Sequence, residues 1–281
     1  MPLGPAETNA HLARLRELCA GAGERIELVE AALILSILQR DEAIDLAPLH
    51  QHVIAITRDV ADLVHRRGAQ PDRMADVIAS AYGYRGDSET YDDLQNADFA
   101  KVIERRKGLP VALSILYLHV ARAQGWESEG LAFPGHFLIR IEIDGARHVL
   151  DPFNNGLACD AAEMRALLQR VLGPQADLSP EHFDAVPDRD VLLRLENNVR
   201  LRLAKREDWA GSSRSLDRML AIAPDRAELL FESGQINVRL DKRRAAIAAF
   251  ERFLALGPAG IEPELRQRAS ALLQELRRGL N

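Results

Sequence analysis

The chain has 281 residues, 47% of them hydrophobic, and a formal net charge of -6. This length suits two domains, and the acidic balance argues against a nucleic-acid-binding protein. Two cysteines, Cys19 and Cys159, are too few for a disulfide framework and form no Cys-x-x-Cys metal motif. Neither a signal peptide nor an apolar run long enough for a membrane span is recognisable, so a cytoplasmic protein without membrane contact is expected.

Helical periodicity dominates the first hundred residues. Residues 1–8 are expected to form a loose tail. Helices are predicted over residues 9–19, 24–40, 45–67, 71–82 and 99–106. Three aspartates precede the last of these helices, and we interpret them as loop residues with an N-cap rather than as a metal site: Asp92, Asp93 and Asp98.

The most informative stretch is residues 106–153, which begins with an apolar helix. Pro110 occupies its first position, because a proline needs no N–H partner there and its φ is already helical. Gly125 closes the helix, since glycine readily adopts a left-handed C-cap. A buried helix is therefore predicted between these two residues.

Two strands follow this helix in the sequence. Residues 137–143 start as an apolar run and then alternate, as a largely buried strand does. Asp144-Gly145 predicts a hairpin turn into a return strand over residues 148–151. His136 thus opens one strand, and Asp151 closes the next.

This order of elements resembles the transglutaminase-like superfamily. That family places a nucleophilic cysteine at the helix start, a histidine base on the first strand and an orienting aspartate on the second. More closely, the chain resembles the SirB1 family, a bacterial group that joins this core to tetratricopeptide repeats. The segments that carry the resemblance are RRKGLP at 105–110, FPGHFL at 133–138 and DPF at 151–153.

One position departs from the family pattern. Counting back from Gly125 places the cysteine position on Pro110, which has no nucleophile and no titratable atom. The resemblance then implies that His136 and Asp151 are a remnant dyad without an attacking group. Ser114 and Cys159 are less favoured alternative nucleophiles, because one lies within the helix and a free cysteine is more often a small buried apolar residue.

No metal and no cofactor is predicted. His148 and Asp151 lie three residues apart on a strand, so their side chains point to opposite faces and cannot readily share a metal ion. The family resemblance instead suggests candidate residues for a cleft or a partner-binding site. These candidates are Arg105, Arg106, Pro134, Gly135 and Phe153.

The last third of the chain has a different period. Pro224 and Pro258 lie 34 residues apart, and Gly234, Ala246 and Phe250 fall at the spacing of a tetratricopeptide repeat. Small residues at 234 and 246 are expected to let two helices approach closely. The preceding copy is degenerate, with arginine at position 200 in place of glycine, and residues 262–278 are predicted to be a capping helix.

A proline-containing stretch, residues 175–190, is interpreted as an irregular linker that follows a helix over residues 161–172. We therefore expect a transglutaminase-like domain over residues 1–187, with its core at about 99–157, and a repeat domain over residues 188–281. The predicted fold is α+β and mostly helical: a helical N-terminal region on a small transglutaminase-like core, then an α-helical repeat tail.

The leading functional hypothesis is a non-catalytic regulatory or interaction protein whose repeats bind a protein or peptide partner. The alternative is an acyl-transfer or amide-hydrolysing enzyme that uses His136 and Asp151 with an unrecognised nucleophile. No nucleic-acid partner is expected. The sequence identifies neither the partner nor the oligomeric state.

Overall fold

The computed structural model describes residues 3–21, 25–257 and 261–278. The chain divides into two compact units. Met1–His11 and Gly21–Leu195 form the first unit, and Leu12–Ala20 and Glu196–Asn281 form the second. None of the helices in the described part of the chain combines the length and apolarity that a bilayer crossing requires.

The described part of the chain before residue 175 contains seven α-helices. They are α1 (Pro5–Leu18), α2 (Leu28–Arg40), α3 (Ala47–Arg67), α4 (Asp72–Met74), α5 (Phe99–Arg105), α6 (Pro110–Ala123) and α7 (Ala161–Leu172). Helix α4 continues as a π-helical segment, Ala75–Ala81, which is closed by the Tyr82 N–H donating to the Val77 carbonyl at 2.9 Å. The predicted helices in this region are therefore confirmed, with shifted ends and one π-helical turn that the periodicity did not indicate.

The expectation of a loose tail over residues 1–8 is wrong from residue 5 onward. Helix α1 begins at Pro5, and the Gly4 N–H donates to Glu7 Oε2 at 2.7 Å. A proline fits the first helical turn, and the glutamate supplies a partner for an amide that the helix leaves unpaired. Met1 and Pro2 lie outside the described residues.

The β structure consists of two sheets. Their strands are β1 (Arg85–Gly86), β2 (Lys107–Gly108), β3 (Glu127–Leu131), β4 (Leu138–Ile143), β5 (Ala146–Asp151), β6 (Leu157–Ala158) and β7 (Ala185–Val186). Strands β1 and β2 form a short parallel pair, and the other five form an antiparallel sheet in the order β6-β5-β4-β3-β7. The predicted hairpin is confirmed: Asp144 and Gly145 both have positive φ, 49° and 80°, which is typical of a type I′ turn.

The linker interpretation of residues 175–190 is wrong in part. Strand β7 lies within this stretch and pairs with β3 through Gly130↔Val186, and the next helix already begins at Asp188. A two-residue strand has no periodicity to detect, and its partner is more than fifty residues away in the chain. Strand β3 was not predicted either, since its sequence ESEGL lacks β-branched and aromatic residues.

The core of the first unit lies on both sides of the five-stranded sheet. Helix α6 is almost entirely buried and contacts β3 and β4. Helix α7 packs Met164 and Leu168 against Leu131, Phe133 and Leu138. The sheet is thus held between two helices, and the end of β5 is close to α6.

The second unit is a helical array. Its helices are α8 (Asp188–Lys205), which begins in the first unit, α9 (Trp209–Ile222), α10 (Ala227–Arg239), α11 (Arg243–Ala255) and α12 (Pro263–Arg278). A Cβ at Gly234 would lie 2.5 Å from the Phe250 ring, so the predicted close approach of α10 and α11 is confirmed. The Phe231 ring lies 5.8 Å from that of Phe250, and Ala269 of α12 joins the same core. The expected repeat proline, Pro258, lies outside the described residues.

Candidate functional site

The histidine and the aspartate singled out in the sequence are in direct contact. His136 lies in the turn before β4, Asp151 ends β5, and His136 Nε2 is 2.8 Å from Asp151 Oδ1. The two side chains are 14% and 5% exposed. Antiparallel pairing of Ile139 with Leu150 produces this contact, because it brings the start of β4 beside the end of β5.

Asp151 also has a structural task. Its Oδ1 accepts hydrogen bonds from the backbone N–H groups of Phe153 at 3.0 Å and Asn154 at 3.2 Å. The carboxylate therefore caps the short 3₁₀ turn Pro152–Asn154. One oxygen thus meets two backbone amides and the imidazole, which fixes the position of His136 relative to this turn.

The Phe153 ring stands beside this pair. Its edge-to-face contact with the His136 ring has a centroid distance of 5.9 Å and an interplanar angle of 89°. Tyr91 packs on Phe153 at the same distance. A Cβ at Gly86 of β1 would lie 2.5 Å from the Phe153 ring, so only a glycine leaves room for the phenyl group there.

The backbone around His136 is held by an arginine that the sequence did not indicate. Arg194 of α8 donates from Nη2 to the His136 carbonyl at 2.7 Å, and its guanidinium lies 5.2 Å from the centre of the Phe137 ring. The neighbouring Gly135 has φ +68°, and a Cβ there would lie 2.6 Å from Val171. Pro134, which precedes it, is half-buried. No sequence pattern connects Arg194 with a turn 58 residues earlier.

Pro110 is the first residue of α6 and is buried. Tyr117 lies seven residues later, two helical turns along the same face. A Cβ at Gly156 would lie 2.3 Å from the Tyr117 hydroxyl, and burial together with the charge of Asp151 raises the pKa of that hydroxyl. The face of α6 that begins with Pro110 is therefore the face directed at the end of β5.

Neither alternative nucleophile has the environment of a reactive group. Ser114 is fully buried, and its hydroxyl donates to the Pro110 carbonyl at 2.8 Å. Cys159 lies just beyond β6, where burial and then the charges of Asp151, Glu163 and Asp160 raise the pKa of its thiol to about 12. Since the thiolate is the attacking form of a cysteine, Cys159 is a poor nucleophile near neutral pH.

The two candidate arginines before α6 are engaged with the loops around them. Arg105 donates to Asp87 Oδ2 and to Asn96 Oδ1, both at 2.9 Å. Arg106, with φ 58°, donates to the Tyr82 carbonyl at 2.7 Å. Both arginine side chains therefore stabilise the segment between α4 and α6 by hydrogen bonds within it.

A groove of about 660 Å³ opens beside the histidine. Its lining includes Arg85, His136, Leu157, Ala158, Leu167 and Arg170. Within the described ranges no group of three or more histidines, cysteines or carboxylates is arranged to hold a metal ion.

Comparison with known proteins places this geometry in a family. Residues 46–197 match the model of the transglutaminase-like superfamily, and residues 199–274 match that of the tetratricopeptide repeat. A UPF0162 protein of Xylella fastidiosa strain Temecula1 is 32% identical over 244 residues, which cover 84% of this chain and 86% of that protein. A UPF0162 protein of Vibrio cholerae is 29% identical over 252 residues, which cover 88% of this chain and 93% of that protein. Protein SirB1 of Salmonella typhimurium is 22% identical over 194 residues, which cover 68% of this chain and 72% of that protein. The resemblance predicted from the sequence is confirmed: the chain belongs to the transglutaminase-like superfamily and, within it, to the SirB1-like family that joins this domain to tetratricopeptide repeats.

Proposed function

We propose that this protein is a non-catalytic interaction protein: a transglutaminase-like domain without its nucleophile, joined to repeats that bind a protein partner. The observation that carries the proposal is Pro110 at the first position of α6. In the family pattern that position supplies the attacking thiol, and a proline side chain offers none.

The neighbouring groups support the same conclusion. Ser114 is bonded to the helix backbone and fully buried, and the pKa of the Cys159 thiol is raised to about 12. Asp151 has a structural reason to be present, since it caps a turn as well as meeting His136. The His136–Asp151 pair then serves to hold the end of β5 against the turn before β4.

The repeat helices supply the second half of the proposal. Tetratricopeptide repeats generally mediate protein–protein contacts, and stacked helix pairs offer a concave surface for them. In the second unit, α8 exposes Leu201 and α10 exposes Val238, which are 51% and 39% exposed. Exposed apolar side chains on repeat helices are suited to pack against the apolar side chains of a partner.

The alternative function remains an acyl-transfer or amide-hydrolysing enzyme. The observation in its favour is the 2.8 Å His136–Asp151 contact at the wall of a groove. A histidine oriented by a carboxylate is the arrangement of a general base, and it would then act on a nucleophile not recognised here or on a water molecule.

Turnover by the intact 281-residue chain distinguishes the two functions. Amine incorporation into a protein substrate and hydrolysis of fluorogenic peptides are measured for the wild type and for His136→Ala. The proposal predicts no activity that depends on His136. Activity that disappears in His136→Ala, while the variant is still folded at the assay temperature, would establish the enzyme instead.

Partner binding is measured separately by cross-linking capture with mass spectrometry. The double variant Leu201→Ser and Val238→Ser is expected to lose partners that the wild type captures. Ile54→Ser is the matched control, because Ile54 is 64% exposed on α3, outside the repeats. If the double variant captures the same partners as the wild type, Leu201 and Val238 do not contribute to partner binding.

A further inference from the structure

We propose that the groove beside His136 docks an extended acidic segment of a partner protein, which pairs with the free edge of β6 and places a carboxylate side chain between Arg85 and Arg170. This inference rests on the proposed function, since it names a second surface of an interaction protein and the chemistry that the surface selects. The groove lies entirely within the first unit of the chain.

The backbone of β6 is available for strand addition. Strand β6 is at the edge of the five-stranded sheet and pairs only with β5 within it. Because the Cys159 N–H donates to the Val149 carbonyl at 2.8 Å, antiparallel alternation directs the N–H and C=O of Ala158 away from β5. An extended peptide can therefore bond to Ala158 without disturbing the sheet.

One face of α7 also lines the groove. Glu163, Ala166, Leu167 and Arg170 follow one another at helical spacing and all line the groove. The middle of this face is apolar, and Leu157 of β6 is 52% exposed in the same groove. Alternate side chains of an extended segment would cover this apolar surface.

The groove lining carries the carboxylates of Asp151 and Glu163 as well as two arginines, and both carboxylates already accept hydrogen bonds from backbone N–H groups. Asp151 accepts from His136 and two amides, and Glu163 Oε2 accepts from the Asp160 N–H at 2.9 Å in a capping box. By contrast, neither Arg85 nor Arg170 forms an ion pair with a carboxylate of the described residues, although both line the groove. Arg170 has only a 3.4 Å contact from Nε to the carbonyl of Ala166.

Two guanidinium groups without a carboxylate partner in the described part of the chain favour an acidic side chain of the docked segment. An arginine binds a carboxylate through two parallel hydrogen bonds, which gives the contact both strength and direction. The groove volume of about 660 Å³ is within the range of sites that enclose a ligand of a few residues. The geometry thus fits an alternating segment with an acidic residue next to apolar ones.

Fluorescence anisotropy with a defined probe tests the proposal on the intact 281-residue chain. The probe is a fluorescein-labelled, C-terminally amidated peptide of sequence Val-Asp-Val-Glu-Val, and its partner peptide has Asn and Gln in place of the acids. We expect the acidic peptide to bind at least tenfold more tightly than the amide peptide, with an affinity that falls as salt is raised. Equal affinities, or no binding of either peptide, would overturn the proposal.

Variants of the groove locate the binding. Arg85→Gln and Arg170→Gln are each expected to weaken the acidic peptide about fivefold or more, whereas Arg66→Gln, in an exposed position of α3, leaves it unchanged. Ala158→Pro is expected to weaken both peptides, because it removes the outward N–H while the bonds to β5 remain. An affinity that is the same in the wild type and in all three groove variants would contradict the assigned site. The melting temperature of each variant shows whether the fold is kept.

Three further outcomes are informative. If the same peptide with a free carboxyl terminus binds and the amidated peptide does not, the assignment to an acidic side chain is overturned. Self-association of the protein that Ala158→Pro abolishes would mean that a second copy occupies the edge, and would overturn the partner segment. Peptide turnover during the titration would contradict the proposed non-catalytic function and leave the docking intact, whereas absent binding without turnover contradicts only the docking.

Discussion

A single carboxylate oxygen of Asp151 accepts from two backbone amides and contacts the imidazole of His136. Removing that carboxylate would leave the two N–H groups of a partly buried turn without their partner, which costs folding free energy by itself. Asp151 therefore has a structural role in the turn besides its contact with His136.

Tyr117 gives a residue-level prediction. Its hydroxyl is buried and has no hydrogen-bond partner among the described residues, whereas the equally buried Tyr84 hydroxyl contacts His52 Nε2 at 3.0 Å. We expect Tyr117→Phe to leave the free energy of unfolding unchanged or to raise it by up to about 1 kcal/mol, because no bond is lost and one unpaired polar group disappears.

The control is Tyr84→Phe, which is expected to lower the free energy of unfolding by about 1 kcal/mol. Urea denaturation of both variants and the wild type provides the comparison. A loss in Tyr117→Phe as large as in Tyr84→Phe would show that the Tyr117 hydroxyl makes a stabilising bond after all.

Among the elements, the segment between β1 and α5 depends on one buried carboxylate. Asp87 is 2% exposed and accepts from the Thr90 N–H at 2.9 Å, the Thr90 hydroxyl at 2.7 Å and Arg105 at 2.9 Å. Burial opposes its ionisation, but these hydrogen bonds prevail and lower the pKa of Asp87 to about 2. Arg105 is thus a brace for the loop that leads into α5.

This shift predicts a pH dependence of stability. Because the pKa of Asp87 is lower in the folded state than in the unfolded chain, its contribution of about 2 kcal/mol is present above pH ~4 and is lost as the pH falls to about 2. Asp87→Asn should therefore destabilise the protein near pH 7, and the gap to the wild type should narrow toward pH 3.

Chemical denaturation of both proteins across this pH range measures the gap. Asp144→Asn serves as the control, since Asp144 lies in the exposed hairpin turn, where asparagine also tolerates a positive φ. A gap that stays constant from pH 7 to pH 3 would contradict the lowered pKa of Asp87.

Elements with a local sequence pattern were predictable, and elements defined by distant pairing were not. Helix α6 carries its proline start and apolar face within fourteen residues, and the β4–β5 hairpin carries its own turn. Strand β7 has two residues, and its place is decided only by pairing with β3. The π-helical segment Ala75–Ala81 has the composition of an ordinary helix, so periodicity could not distinguish it.

The same limit applies to the site. His136 and Asp151 were predictable because a resemblance to a known family connects two short motifs across the hairpin. Arg194 was not, because its bond to the His136 carbonyl joins α8 to a turn 58 residues earlier. The free edge of β6 could not be predicted either, because it depends on the order of the strands in the sheet.

At the scale of the whole molecule, the chain combines a small α+β domain with a helical repeat array, and each part has its own buried core. Membership of the SirB1-like family explains this combination. We propose that Pro110 stands where a related enzyme carries its thiol, which leaves the first domain to bind rather than to react.

The most direct test of that claim is the thiol pKa of the variant Pro110→Cys, measured from the pH dependence of its alkylation by iodoacetamide and read at each cysteine by peptide mass spectrometry. A thiol at the start of α6 and facing His136 is expected to have a pKa below about 7.5, rising toward about 8.5 when His136→Ala is added. Cys159, with a thiol pKa of about 12, should remain almost unmodified near neutral pH in the same samples. A pKa of the introduced thiol near or above about 8.5 that His136→Ala does not change would contradict the account, because position 110 would then not be the nucleophile position.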